Sequence, residues 1–265
     1  MKKYPIVFAP AIAGIEKEHI NAAKEYVKGG GVLCFSGVES PELLKEFFGG
    51  ELIGFTDVKN VYSAPTEQGK VLFAPFSEKY PLSLSDKHPL VKMNNPDVSV
   101  LATLTLPYSH PTDKTKFASI HSNPPGIETD IPMIVVKNRG KGRVIWSAAT
   151  IEGMEMDEYQ HVVQKLLLTK DNLMQLHLAG EKPRNVEITL FSDESGMCIN
   201  AVNLTDDSVS AAVPGFNIHV RTEKAPKKVA LLPEETEIPF EYADGYVMFN
   251  TLTLNIFDMY RIYFE

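Results

Sequence analysis

The sequence predicts an open α/β domain followed by a small antiparallel β-sandwich. Three observations carry that prediction. The stretch Glu25–Gly37, EYVKGGGVLCFSG, ends a helix in three glycines and runs straight into an apolar strand. Gly29, Gly30 and Gly31 allow a left-handed helix stop and a tight reversal. Val32-Leu33-Cys34-Phe35 then has no polar face, as a strand covered on both sides requires. Second, helical and strand patterns alternate up to about Lys170. Third, past Gly180 the helices stop, and short runs separated by turn residues replace them.

The elements follow in order. Ile6–Ala9 is a short strand, and Lys17–Val27 an amphipathic helix with Ile20, Ala23, Tyr26 and Val27 on one face. Gly31–Ser36 is the second strand. Ser40 at an N-cap and Pro41 at the first helical position open a helix over Pro41–Phe48, closed by Gly49-Gly50. Apolar runs follow at Asn60–Ala64, Lys70–Ala74 and Val98–Thr105. The proline-bearing segments Phe76–Pro96 and Pro107–Pro132 read as loop or irregular chain. Pro132–Lys137 and Gly142–Ala149 are strands joined as a hairpin by Asn138-Arg139-Gly140-Lys141. A helix over Met154–Leu168 buries Tyr159, Val162, Val163, Leu166 and Leu167. Seven short strands then predict the sandwich: Asn185–Phe191, Gly196–Asn203, Asn217–Val220, Lys228–Leu232, Ile238–Tyr242, Tyr246–Phe249 and Met259–Phe264. Turn signals at Asp193–Gly196 and Ala243-Asp244-Gly245 separate them. The domains are therefore expected at 1–178 and 184–265, with the boundary in Ala179–Pro183.

Bulk properties narrow the function. With 265 residues, 44% hydrophobic and 23% charged, the chain suits two globular domains of ordinary size. A net charge of −8 and the lack of a basic block argue against nucleic acid and against an anionic membrane surface. Lys2 and Lys3 precede an apolar run, but Pro5, Pro10 and Gly14 break it, so a first strand is expected rather than a signal peptide. No apolar stretch approaches the ~20 residues of a membrane span. Cys34 and Cys198 fall in separate apolar strands, which suits free thiols in a reducing cytoplasm.

Ser36 ends a strand, where doubly wound sheets place functional groups. A nucleophile elbow would need glycines at 34 and 38, which are Cys and Val. Neither Gly29-Gly30-Gly31 nor Gly140-Lys141-Gly142 has the spacing of a phosphate loop, so both read as structural. The loop His121-Ser122-Asn123-Pro124-Pro125-Gly126 sets a His, a hydroxyl and an amide beside two prolines. It can present His121 as a general acid/base or a sugar-binding donor; the plainer reading is a surface turn capped by Ser122 and Asn123. His110 shares the same segment and could join such a site. No zinc spacing is present, and no cofactor or metal is expected. Glu152, Glu155, Asp157 and Glu158 complement the dipole of the following helix. Paired carboxylates also perform glycoside hydrolysis, and Glu152 is the candidate among these four.

Tyr26–Leu33 (YVKGGGVL), the His121–Gly126 loop and Gly140–Trp146 (GKGRVIW) together resemble the non-barrel half of trimeric β-galactosidases. Those enzymes carry a (β/α)8 barrel, an α/β trimerisation domain similar to class I glutamine amidotransferases, and a small β domain. The resemblance implies a flavodoxin-like or glutamine amidotransferase-like open sheet and covers nearly the whole chain. A barrel needs about 250 residues of its own, so the barrel's catalytic carboxylates have no counterpart here. The amidotransferase cysteine and histidine have no matching motif either.

The expected function is a non-catalytic accessory or oligomerisation region related to glycoside hydrolases. Its expected partners are further copies of itself, a carbohydrate ligand or a glycosidase catalytic domain. The alternatives are a glycoside or sugar-ester hydrolase using His121 with Glu152 or a nearby carboxylate, and a binding module using His121, Ser122, Asn123 and His110. Fold analogy alone does not separate them.

Overall fold

The computed structural model describes residues 4–10, 14–37, 41–74, 80–119, 121–167, 175–180, 183, 185–204 and 211–264. The proposed N-cap Ser40 and residues 181–182 of the expected boundary lie outside them. The chain divides into two compact units, Met1–Leu173 and Met174–Glu265. No helix among the described residues is long and apolar enough to cross a membrane.

The first unit opens with β1 (Ile6–Pro10), α1 (Lys17–Lys28), β2 (Val32–Ser36) and α2 (Pro41–Phe48). Then come β3 (Gly50–Phe55), β4 (Val61–Pro65), the short α3 (Lys70–Phe73), β5 (Leu82–Leu84), β6 (Pro89–Met93) and β7 (Ser99–Pro107). The unit closes with β8 (Pro125–Arg139), β9 (Gly142–Ser147), a 3-10 turn (Ile151–Gly153) and α4 (Asp157–Leu167). One sheet runs β1-β2-β9-β8-β7-β4-β5, and β3 pairs with β6 as a separate ribbon.

Only β1, β2 and β9 are parallel; every later pairing in the sheet is antiparallel. Over the described residues of both units the chain is mostly β, at 47% strand and 16% helix, and this sheet is curled and open. The reason lies in the β8–β9 hairpin. Arg139 pairs with Gly142 across a two-residue loop, and a loop that short can only join antiparallel strands.

Within this frame α1 buries Ile20, Ala23, Tyr26 and Val27, as its periodicity requires. All five residues of β2 are buried, with Phe35 packed against Phe47 and Phe48 of α2. Helix α4 buries Tyr159, Val162 and Leu166, leaving Val163 and Leu167 partly covered. The run at Lys70 is a helical turn. The two segments expected as loop contain strands β5 and β6 and the first half of β8. Their prolines sit where strands tolerate them: Pro89 and Pro125 begin strands, and Pro132 faces Thr103 at a register shift.

The two glycine clusters meet at the amino end of the sheet. Lys141 N–H donates to Lys28 O and Arg143 N–H to Gly31 O, both at 3.2 Å. A Cβ on Gly31 would lie 2.2 Å from the Tyr26 ring, and one on Gly142 would lie 2.1 Å from Val27 O. Close backbone approach is what these glycines supply.

The second unit contains β10 (Leu176–Ala179), β11 (Val186–Ser192), β12 (Gly196–Asn203), β13 (Asn217–Arg221) and β14 (Lys228–Leu232). It continues through β15 (Thr236–Glu237), β16 (Phe240–Ala243), β17 (Tyr246–Asn250) and β18 (Phe257–Tyr263). Two antiparallel sheets, β10-β13-β17-β16 and β11-β12-β18-β14-β15, supply a core of Ile199, Ile218, Val220, Val229, Phe249 and Tyr260. The strand expected at Ile238–Tyr242 is split, with Ile238 buried between β15 and β16. Both turn signals operate. Asp193 Oδ1 accepts from Ser195 N–H and Gly196 N–H. Asp244 and Gly245 take φ values of 52° and 79° between β16 and β17, the double positive φ of a tight hairpin.

Candidate functional site

Parallel strands direct their carboxyl ends to one edge, and here β2 and β9 end on facing serines. Ser36 pairs with Ser147 in register, one step beyond the Phe35–Trp146 level. The chain then turns through Ala148–Thr150 into the 3-10 turn, which carries Glu152 back to β2. Ser36 Oγ donates to Glu152 Oε1 at 2.7 Å. Both serines are buried, and Ser147 Oγ has no hydrogen-bond partner.

Burial, and then the Glu152 carboxylate, push the Cys34 thiol up to about 12. Cys34 is therefore a neutral core thiol rather than a nucleophile. The void among Phe8, Cys34, Ile145, Ser147, Glu152 and Leu166 measures about 20 Å³, room for one water-sized group and not for a substrate. Sequence reasoning singled out Ser36 and Glu152 separately but missed Ser147. Strand-end position is the signal that could have found it.

The His121 loop lies elsewhere. Strand β8 faces Ser147 at Ile134 and begins at Pro125. Those nine residues make about 30 Å of strand. Asn123 is occupied by its neighbours: Oδ1 accepts from Ser109 N–H at 3.0 Å, and Nδ2 donates to Ser109 O at 2.7 Å. Its backbone oxygen accepts from the Tyr62 hydroxyl and from Asn60 Nδ2. Asn123 thus closes the base of the β7–β8 loop.

His110 Nδ1 accepts from Thr112 N–H at 3.2 Å, which leaves Nε2 to donate to Asp57 Oδ2 at 2.8 Å. His121 and Ser122 are exposed. Their backbone N–H groups donate to Ser119 Oγ and Ser119 O, each at 3.2 Å. Among the described residues no hydrogen bond joins His121 to His110 or to Glu152, and no group of three metal-ligating side chains occurs.

No protein-family model matches the sequence, and no curated protein does. Solved structures do share the fold. An α-L-fucosidase, isoenzyme 2 from Paenibacillus thiaminolyticus, aligns with 100% of this chain and 41% of its own at a TM-score of 0.74 and 15% identity. A β-galactosidase from Bacillus circulans sp. alkalophilus aligns with 98% of this chain and 33% of its own, at 0.62 and 12%. A GH42 β-galactosidase from G. stearothermophilus aligns with 99% and 32%, at 0.59 and 13%. At these identities the likeness shows a shared fold. The chain spans about a third to two fifths of the length of these structures.

Proposed function

We propose that this chain is a non-catalytic accessory and oligomerisation region of the kind found in glycoside hydrolases. In this reading a trimerisation-like unit precedes a β-sandwich, and both serve a carbohydrate-processing assembly. The observation that carries the reading is the coverage: the whole chain matches glycoside hydrolases that are each two to three times its length. The strand-end chemistry agrees with it. Glu152 faces a serine hydroxyl rather than a second carboxylate, and the space beside it holds one water-sized group. Two carboxylates across a sugar-sized gap are what glycoside hydrolysis needs. The partners on this reading are further copies of the chain and a glycosidase catalytic domain.

Light scattering over a range of concentrations, with p-nitrophenyl β-galactoside and α-L-fucoside as substrates, tests the proposal. Self-association without turnover is the expected result. A monomer at every concentration overturns the oligomerisation role. Turnover abolished by Glu152→Gln overturns the non-catalytic one.

A further inference from the structure

A cleft of about 320 Å³ opens beside the carboxyl ends of β2 and β9, separate from the Ser36–Glu152 pair. That volume lies at the lower end of the ~300–1,000 Å³ typical of small-ligand sites. Gly37, Phe55, Asp86, Lys87, Thr150 and Met154 line it. We propose that this cleft binds a neutral monosaccharide, with the Phe55 ring against the sugar's C–H face and Asp86, Lys87 and Thr150 on its hydroxyls. The proposal rests on the carbohydrate association argued above and gives it a place.

Three features support that ligand class. First, the lining is amphipathic in the manner of a pyranose. Phe55 is 55% exposed and shares the lining with the apolar Met154 and the polar Asp86, Lys87 and Thr150. Second, the charges cancel. One carboxylate and one ammonium leave no excess for an anion or a cation, whereas a polyol uses both as hydrogen-bond partners.

Third, the polar arm is built rather than loose. Asp86 is a non-glycine residue held at φ 73°, a conformation tolerated where surrounding structure imposes it. The bracing residue is His88. Its Nε2 lies 2.8 Å from Ser85 O, its backbone N–H donates to Thr56 Oγ1 at 3.1 Å, and its backbone oxygen accepts from Thr56 N–H at 2.9 Å. The ring also meets the Ala148 backbone, and burial lowers its pKa. Gly37, also on the lining, is pinned between Ser147 O, which accepts from its N–H at 3.0 Å, and Trp146 Nε1, which donates to its oxygen at 2.7 Å.

Saturation-transfer NMR and calorimetric titration of the full chain with methyl β-galactopyranoside and methyl α-L-fucopyranoside test the proposal. Asp86→Gly removes the carboxylate while suiting the left-handed backbone, so the fold is retained. Phe55→Ala removes an exposed ring. Each is expected to weaken sugar binding about tenfold, the loss of one charged hydrogen bond or stacking contact. Phe191→Ala removes an exposed ring that is not part of the cleft lining and leaves binding unchanged. Absence of saturable binding to either sugar overturns the proposal. So does an affinity untouched by both cleft variants, or binding of inorganic phosphate in preference to sugar. Self-association is read separately, so a chain that assembles but binds no sugar loses the cleft and keeps its accessory role.

Discussion

Gly142→Ala is expected to be among the most damaging single-methyl additions in the first unit. The new Cβ would lie 2.1 Å from Val27 O and 2.3 Å from Gly31 O. Reaching an ordinary 3.4 Å contact means opening the first gap by 1.3 Å, against backbone rather than a flexible side chain. Overpacking of this kind costs about 1–3 kcal/mol. The same movement stretches the bonds Arg143 N–H to Gly31 O and Lys141 N–H to Lys28 O, each contributing about 1 kcal/mol. A loss of about 3–5 kcal/mol follows, which lowers the Tm of a unit this size by about 6–20 °C. Trp146 is the single tryptophan and is fully buried in this unit, so its fluorescence in urea reports the transition directly. Gly153→Ala is the control, because its Cβ would meet only Thr150 Cγ2 at 4.0 Å. A Gly142→Ala protein as stable as the parent refutes the idea that the two glycine clusters exist for close packing.

Ser147→Ala should raise stability by about 1 kcal/mol, because it removes a buried hydroxyl without a partner; a lower urea midpoint contradicts this. Alkaline pH should weaken the first unit. Burial raises Cys34 to about 12 and also raises Tyr26 and Tyr159. The Cys34 contribution is full below the unfolded thiol value of about 8.5 and is lost as pH climbs toward 12. Urea midpoints between neutral and alkaline pH should therefore fall, less steeply in Cys34→Ala, and a flat profile in both proteins is the contrary result. Asn123→Ala should cost about 1–2 kcal/mol through the two Ser109 bonds and speed hydrogen exchange in 108–124. His121→Ala, exposed beside it, should stay within about 0.5 kcal/mol. Equal effects from the two changes would dismiss Asn123 as the loop's closure.

Local signals proved readable in the sequence where a single segment decides the outcome. The stripe Ile20, Ala23, Tyr26 and Val27 is buried as its spacing demands, and the 193–196 and 243–245 turns form on the expected residues. The hairpin at Gly140-Lys141 was also legible, and it already forbade an all-parallel sheet. What escaped depends on partners distant along the chain. Strands β5 and β6 and the start of β8 hide among prolines, because only pairing distinguishes a strand-opening proline from a loop proline. The Ser36–Glu152 contact spans 116 positions, and no periodicity links its ends. Asp86 and His88 sit in a stretch that reads as loop, so the cleft carries no sequence signal beyond composition.

The Asn123 clamp also suggests an engineering use. By fastening Ser109 from both sides, it separates the loop above from the sheet below. A peptide inserted among residues 111–119, most of them exposed, would lengthen a circuit that is already closed at its base. Doubling such a loop costs only about 0.6 kcal/mol. That makes the tip a natural port for an epitope, a fluorophore or a tether, outside the residues that form the serine pair and line the cleft.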